Sequence, residues 1–201
     1  VPLLNSKWGS AFSLLPFSSA DYRLVGSAEI INTIPTETTN NTFIGSGGLS
    51  QFAWSNGFRI FQSTSIGFNL MYVFGAIERE IQSSLAADSS NIGYFTKLSN
   101  NETYKSVLLS VSVAQKVTFN EKNEMNFGLT YRDSGQLKGS KNSYLSRYLE
   151  NNFTQVGSPI PTSSEESILF NLPKKLSFGI SYGLIDEYRI GLDINLANWT
   201  S

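Results

Sequence analysis

The sequence predicts an all-β fold: an antiparallel, up-and-down transmembrane β-barrel to which this chain contributes about eight strands. Three observations support this prediction. Apolar and polar residues alternate over long stretches of the 201 residues. Charged residues make up only 15% of the chain and aromatic residues 13%, whereas an ordinary soluble domain has about 25% charged residues. Short and long polar links also alternate between the predicted strands, as expected of a membrane barrel.

The clearest β pattern covers residues 176–197. From Leu176 to Leu184 apolar residues alternate with Ser and Gly, and the alternation resumes at Tyr188. A period of two places alternate side chains on opposite faces of a strand. Each run has about the 9–11 residues that a tilted strand needs to cross a bilayer. The short link at 185–187 therefore predicts a transmembrane hairpin.

The same pattern predicts eight strands in all, with Pro173 marking a bulge or kink because it has no N–H to donate. The predicted strands cover residues 7–15, 21–33, 43–60, 65–81, 103–119, 124–132, 168–184 and 188–197.

The prediction of a membrane barrel depends on the lengths of the links between these strands. Those at 61–64, 120–123 and 185–187 are short, whereas 82–102 and 133–167 are long and polar. This rhythm indicates short periplasmic turns and long extracellular loops. The alternative is a soluble β-domain with two long surface loops.

The chain is treated as one barrel segment, 1–201, in which residues 133–167 form a long extracellular loop. Within that loop, apolar residues at helical spacing predict a short helix over the barrel mouth. They are Tyr144, Leu145, Tyr148 and Leu149.

The ends of the chain lead to a further expectation. If the short links are periplasmic, the first strand runs inward and the eighth ends outside, so both ends lie at the extracellular face. Bacterial barrels normally keep both termini in the periplasm. We therefore expect an incomplete barrel of ten or more strands; a closed eight-strand barrel is the alternative.

Composition excludes several functions. No apolar run approaches the about 18 residues of a spanning helix. The net charge of −1 does not suit a nucleic-acid partner. The chain has no Cys and no His, which removes disulfides, thiol chemistry and Ser-His catalysis. We predict no enzymatic activity, no metal and no cofactor.

The polar phase of the strands predicts the residues that line the barrel lumen. Arg189 should lie opposite Gly183 and Asp193 opposite Gly179, where glycine leaves room for a longer neighbour. The alternative to a ligand-binding role is an ion-paired or water-filled interior. The predicted lumen residues are Asn69, Met71, Lys116, Arg132, Arg189, Asp193 and Asn195.

A second set of residues is predicted at the membrane interface, where amphipathic rings lie at head-group level. These aromatic residues are Trp8, Tyr22, Trp54 and Trp199.

Three segments resemble the FadL-type outer-membrane transport proteins. Segment 172–199 begins Leu-Pro and ends Asn-Trp, segment 47–75 contains Ser-Ile-Gly and closes in Tyr-Val-Phe-Gly, and segment 8–19 contains Leu-Pro-Phe-Ser. The resemblance implies a fourteen-strand barrel with a plug, integral to the bacterial outer membrane. Its implied partners are outer-membrane lipid or lipopolysaccharide and a small hydrophobic ligand.

Two functions are consistent with these features. The leading hypothesis is a channel for small hydrophobic molecules such as long-chain fatty acids. The alternative is a barrel that does not transport and serves as a subunit or scaffold of an outer-membrane secretion or assembly complex. A channel needs a continuous lumen, whereas a scaffold has a filled lumen and protein partners.

Overall fold

A computed structural model describes residues 2–3, 7–30, 37–85, 93–119, 122–184 and 187–199 of the chain. As predicted, the fold is all-β and antiparallel. In the described ranges, no helix is long and apolar enough to cross a membrane. The strands are β1 (Pro2–Leu3), β2 (Trp8–Ser19), β3 (Tyr22–Ile30), β4 (Glu37–Arg59), β5 (Thr64–Leu85), β6 (Tyr94–Phe119), β7 (Asn123–Arg132), β8 (Gly135–Leu149), β9 (Ile160–Leu172), β10 (Lys175–Leu184) and β11 (Tyr188–Ala197).

Several of these segments are collinear parts of longer strands. β2 and β3 follow one another along β4, and β7 and β8 do so along β6. β9 and β10 then follow β8 and β7. The described sheet is therefore an up-and-down meander of long strands in which β6 alone has 26 residues. At about 3.4 Å per residue, such a strand is far longer than a bilayer requires.

The breaks between collinear segments divide the sheet into two parts. They lie at 20–21, 133–134 and 173–174, and the last contains Pro173, at the position predicted for a kink. The lower half, next to the short links, comprises β2, residues 48–59, 64–75 and 106–119, β7, β10 and β11. The upper half comprises β3, residues 37–47, 76–85 and 94–105, β8 and β9.

Glycine is required where the continuous strand β4 crosses between the halves. Gly47 has φ of 90°, and an added Cβ would lie 2.5 Å from the carbonyl oxygen of Ala76. Any other residue would clash there and also adopt an unfavourable backbone conformation. The backbone of β4 therefore requires a glycine at the point where it passes from one half to the other.

The segments predicted as long loops are largely strands. Residues 82–85 and 94–102 extend β5 and β6, and residues 133–167 hold β8 and the start of β9. The predicted helix is wrong because each of its apolar residues has a cross-strand neighbour. Leu145 lies opposite Leu98, and Tyr148 stacks on Phe95 with ring centroids 5.0 Å apart. Ladder hydrogen bonds with β6 and β9 replace those of a helix.

The direction of the first strand also differs from the expectation. Trp8 lies opposite Phe58, beside the short link at 60–63. The strand therefore runs from the short-link end toward the upper half, and β3 continues it where a turn was expected. Residues 31–33 of the predicted second strand lie outside the described residues.

At one edge of the described sheet the two-residue strand β1 pairs with β2, and at the other edge β11 is paired with neither of them. A total of ten or more strands therefore stays a prediction.

Candidate functional site

The lower half presents a broad apolar surface on one side of the sheet, which we call the apolar face. One row of directly opposed residues crosses all seven strands of this half. Six of its seven members are exposed, from Phe58 at 36% to Ile194 at 48%. The row consists of Trp8, Phe58, Ile66, Val113, Leu129, Phe178 and Ile194.

Aromatic rings concentrate on the part of the apolar face formed by β2, β4 and β5. Phe12 stacks on Trp54 at 6.2 Å, and Trp8 stacks on Phe58 at 5.8 Å. The indole N–H of Trp54 donates to Ser10 Oγ at 3.0 Å, and that of Trp8 donates to the Asn56 side chain at 3.1 Å. Both indoles thus satisfy their polar group within the face, as an apolar environment requires.

An exposed apolar surface that crosses seven strands exceeds what a soluble monomer ordinarily leaves uncovered. Each lower-half segment of β2, β7, β10 and β11 has 10–12 residues, which matches a bilayer crossing. The face is therefore suited to contact lipid.

The opposite side of the lower half, the polar face, brings together the predicted lumen residues. Asn69, Ser110, Arg132 and Lys175 lie side by side in one row across four strands. All of the predicted lumen residues share this side: Asn69, Met71, Lys116, Arg132, Arg189, Asp193 and Asn195.

An ion cluster lies at the base of the polar face. Glu124 is buried, with 4% of its surface exposed, and it pairs with both Lys116 and Arg189. Gly183 lies between Glu124 and Arg189 in the same row, so the arginine side chain can reach across β10. Buried carboxylates need such partners, because removing an unpaired carboxylate from water costs several kcal/mol.

Both predicted glycine positions are confirmed by the strand register. Arg189 lies opposite Gly183, and Asp193 lies opposite Gly179. A Cβ on Gly183 would come within 2.9 Å of Arg189 Cα. The glycines thus make room for their neighbours, which is the packing reason given above.

The other predicted lumen residues differ in their contacts. Asn69 accepts a hydrogen bond from Ser55 at 3.0 Å, and Asn195 accepts one from Ser177 at 2.6 Å. Arg132 is half-buried, and its Nε has no hydrogen-bond acceptor in the described part of the chain.

Met71 belongs to an apolar cluster, not to an open polar surface. The cluster lies on the side of the polar face where the lower half meets the upper half, and Val73 at its centre is fully buried. It contains Leu49, Ala53, Met71, Val73, Leu108, Leu137 and Leu172. Side chains are therefore close-packed over the polar face at this level.

The predicted interface aromatics fall in two places. Trp8 and Trp54 lie on the apolar face, and Trp199 follows β11 with 65% of its surface exposed. Tyr22 is instead in the upper half, where its ring covers Gly45 on the side of Arg79. It is therefore separated from the aromatic cluster of the lower half.

The upper half carries charged residues on both sides of the sheet. Arg79 and Tyr104 both donate to Glu102, which is buried on the side of the apolar cluster. On the other side Lys97 pairs with Glu80. Arg79 and Glu80 are adjacent in β5, and each is paired with a residue of β6 on its own side of the sheet.

These ion pairs shift ionisation equilibria in the upper half. Burial alone would lower the pKa of Lys97, but its hydrogen bond and attraction to Glu80 outweigh burial, so the pKa is raised. Burial and the hydrogen bond to Glu102 both raise the pKa of Tyr104. Both groups are thus held in their protonated forms.

Sequence reasoning missed Glu124 and Glu102, the acids at the centres of the two clusters. Glu124 lies on the same side of β7 as Asn126 and Gly128, the side on which the sequence also predicts several cations. An acidic residue at such a position could have been recognised from the sequence as their partner. Glu102 offers no such signal, because the sequence predicts a loop that ends at residue 102. In the described ranges, no three His, Cys, Asp or Glu side chains are grouped to hold a metal.

The profile of the BamG family matches residues 1–201, so the chain belongs to the BamG family. Nothing among curated proteins or solved structures matches the chain. The resemblance to FadL-type transport proteins is therefore wrong. Its shared segments are short alternating Gly and aromatic patterns, which are common to many barrel strands.

Proposed function

Starting from membership of the BamG family, we propose that this chain is an integral, non-enzymatic β-barrel subunit of the BAM complex, the outer-membrane assembly complex. The family name points to a component of that complex. In this proposal the apolar face contacts outer-membrane lipid, and the upper half contacts protein partners.

The observation that carries the proposal is the difference between the two halves. The lower half has strand lengths and an apolar face that suit a bilayer. The upper half continues the same strands beyond that length. A strand such as β6, with 26 residues, can project its upper half well outside the membrane.

The upper half also has an apolar surface that lipid would not cover. A row of directly opposed apolar residues crosses six strands on the side of the apolar cluster, and Leu24 and Ile160 at its ends are each 61% exposed. We call it the upper apolar row: Leu24, Phe43, Ile81, Leu98, Leu145 and Ile160. Outside a membrane, such a row suits a protein subunit.

The packing of the polar face supports a structural role. The apolar cluster around Val73 fills the surface at the level where a diffusion path would need open space. Below it, Lys116 and Arg189 both pair with the buried Glu124. These features favour a filled interior, the arrangement expected of a scaffold.

Isolation of the tagged native protein with its partners tests the proposal. We expect a stable set of outer-membrane assembly subunits after mild detergent extraction, identified by mass spectrometry. Bound lipid without any protein partner would contradict the subunit role.

Neighbouring residues on β8 provide a matched pair of variants. Leu145 and Tyr144 are both 37% exposed but lie on opposite sides of the upper half. If the upper apolar row binds a subunit, L145E should reduce the recovery of partners about tenfold or more, as for a central interface residue. Y144E should leave recovery unchanged, and equal losses in both variants would refute this docking surface.

A further inference from the structure

Two lysines lie directly opposite each other where the apolar face ends. Lys105 of β6 and Lys138 of β8 are the last residue pair of their ladder before the lower half. On its other side Lys105 lies opposite Phe74, which stacks on Tyr72 with centroids 5.6 Å apart. The lysines thus continue the surface of the apolar face at its upper margin.

Neither lysine is neutralised by a described acidic side chain. The ion pairs among the described residues involve other cations, and Lys174 nearby is 3.8 Å from Asp133. Like charges directly opposite on a sheet repel each other. An anion bound between the two ammonium groups would remove this repulsion.

The sheet opens beside the lysine pair. β6 pairs with β8 down to Lys105 and with β7 only from Ser110 onward, so residues 106–109 lie beside the break at 133–134. A cavity of about 500 Å³ lies there between Tyr72, the two lysines, Ser106, Ser134 and Gln136. The hydroxyl of Ser106 and the side-chain amide of Gln136 already donate within the sheet, to the Gln136 carbonyl oxygen and to Asn171 Oδ1. The two lysines therefore supply the charge beside the cavity.

The position of the two lysines at the upper margin of the apolar face indicates the chemistry of the ligand. Long lysine side chains lie along apolar surface and place their ammonium groups at the water interface, and aromatic rings favour the same depth. The anionic groups found at that depth are lipid phosphates. Lysine binds phosphate as a point charge.

We propose that Lys105 and Lys138, with the adjacent cavity, form a binding site for the phosphate of a phosphorylated outer-membrane glycolipid. The proposal rests on the membrane placement given under Proposed function, and it assigns that placement a specific lipid contact. A lipid held here would lie between the apolar face and the upper half.

The test uses the full chain, purified in detergent, and bisphosphorylated lipid A as the probe, with binding measured by native mass spectrometry and thermophoresis. K105Q/K138Q should weaken binding about tenfold or more, because both charges of the site are removed. K122Q/K141Q is the matched control, since Lys141 lies on the opposite side of β8 and Lys122 in a turn. It should bind like the unchanged protein, and circular dichroism confirms that both variants are folded.

Other outcomes decide the ligand. Dephosphorylated lipid A should bind the unchanged protein as weakly as lipid A binds K105Q/K138Q. Equal binding by both double variants would overturn the site, and so would full displacement by inorganic phosphate at the concentration of the lipid. Since the purified chain is used, this result does not depend on whether assembly subunits co-purify.

Discussion

The lower and upper halves of the sheet are made from the same strands but differ in chemistry. In the lower half, polar and charged groups are concentrated on one side, and the apolar face covers the other. In the upper half both sides carry charges, with Arg79–Glu102 on one side and Lys97–Glu80 on the other. A continuous strand can therefore pass from surroundings suited to lipid into surroundings suited to water. The side chains, not the backbone ladder, distinguish a segment suited to lipid from one suited to water and protein.

The largest expected effect comes from a charge on the apolar face. Leu129→Lys should destabilise the folded protein in lipid vesicles by about 2–4 kcal/mol, the cost of a lysine facing lipid near the bilayer midplane. Thr130→Lys is the control, because Thr130 is the next residue on β7 and faces the polar side. Urea unfolding in vesicles measures both. Equal costs would contradict the assignment of the two faces.

The next effect comes from the crowded glycine of β10. Gly183→Ala should cost about 1–3 kcal/mol, because its Cβ would meet Arg189 Cα at 2.9 Å. Gly128→Ala, also on the polar face, has open space for a Cβ and should change stability by less than about 1 kcal/mol. Thermal unfolding in detergent compares them. If the two alanines behaved alike, the close approach of β10 and β11 would be wrong.

The ion cluster of the lower half should have a smaller effect. Glu124→Gln leaves Lys116 and Arg189 without a counter-charge, but both cations are more than half exposed, at 51% and 60%. Solvent screening limits the expected loss to about 1–2 kcal/mol. Asp193→Asn removes an exposed acid of the same face and should cost less than about 0.5 kcal/mol. A similar loss in both variants would argue against a specific role of Glu124.

The smallest expected effect concerns an ion pair of the upper half, whose contribution to stability depends on pH. The raised pKa of Lys97 means that its pair with Glu80 stabilises the fold below the ordinary lysine value of 10.5 and is lost as pH rises beyond it. Lys97→Gln should therefore be less stable than the unchanged protein at pH 8 by about 1 kcal/mol or less. The difference should shrink as the pH rises past 10.5 and through the raised pKa of Lys97. A difference that stayed constant through that range would refute the ion pair as its cause.

Much of the lower half could be predicted from sequence, because a period of two is a local property. The phase of alternation placed Lys116, Arg132 and Arg189 on one side, and the short hairpin link predicted the register of β10 with β11. The upper half was less predictable. Its strands are rich in Asn, Ser and Thr, the composition of loops, and form strands through pairing with distant neighbours. Glu102, for example, lies in β6 beside Ile77 of β5 and Lys141 of β8.

The sequence by itself determined that the chain forms two-faced antiparallel strands, and where glycine makes room for Arg189 and Asp193. Tertiary structure decided which segments are collinear, in which direction the first strand runs, and that Glu124 meets Arg189, 65 positions away. The reason is that alternation is set within one strand, whereas collinearity and charge pairing depend on which strands become neighbours. Those neighbours are specified by the whole sheet.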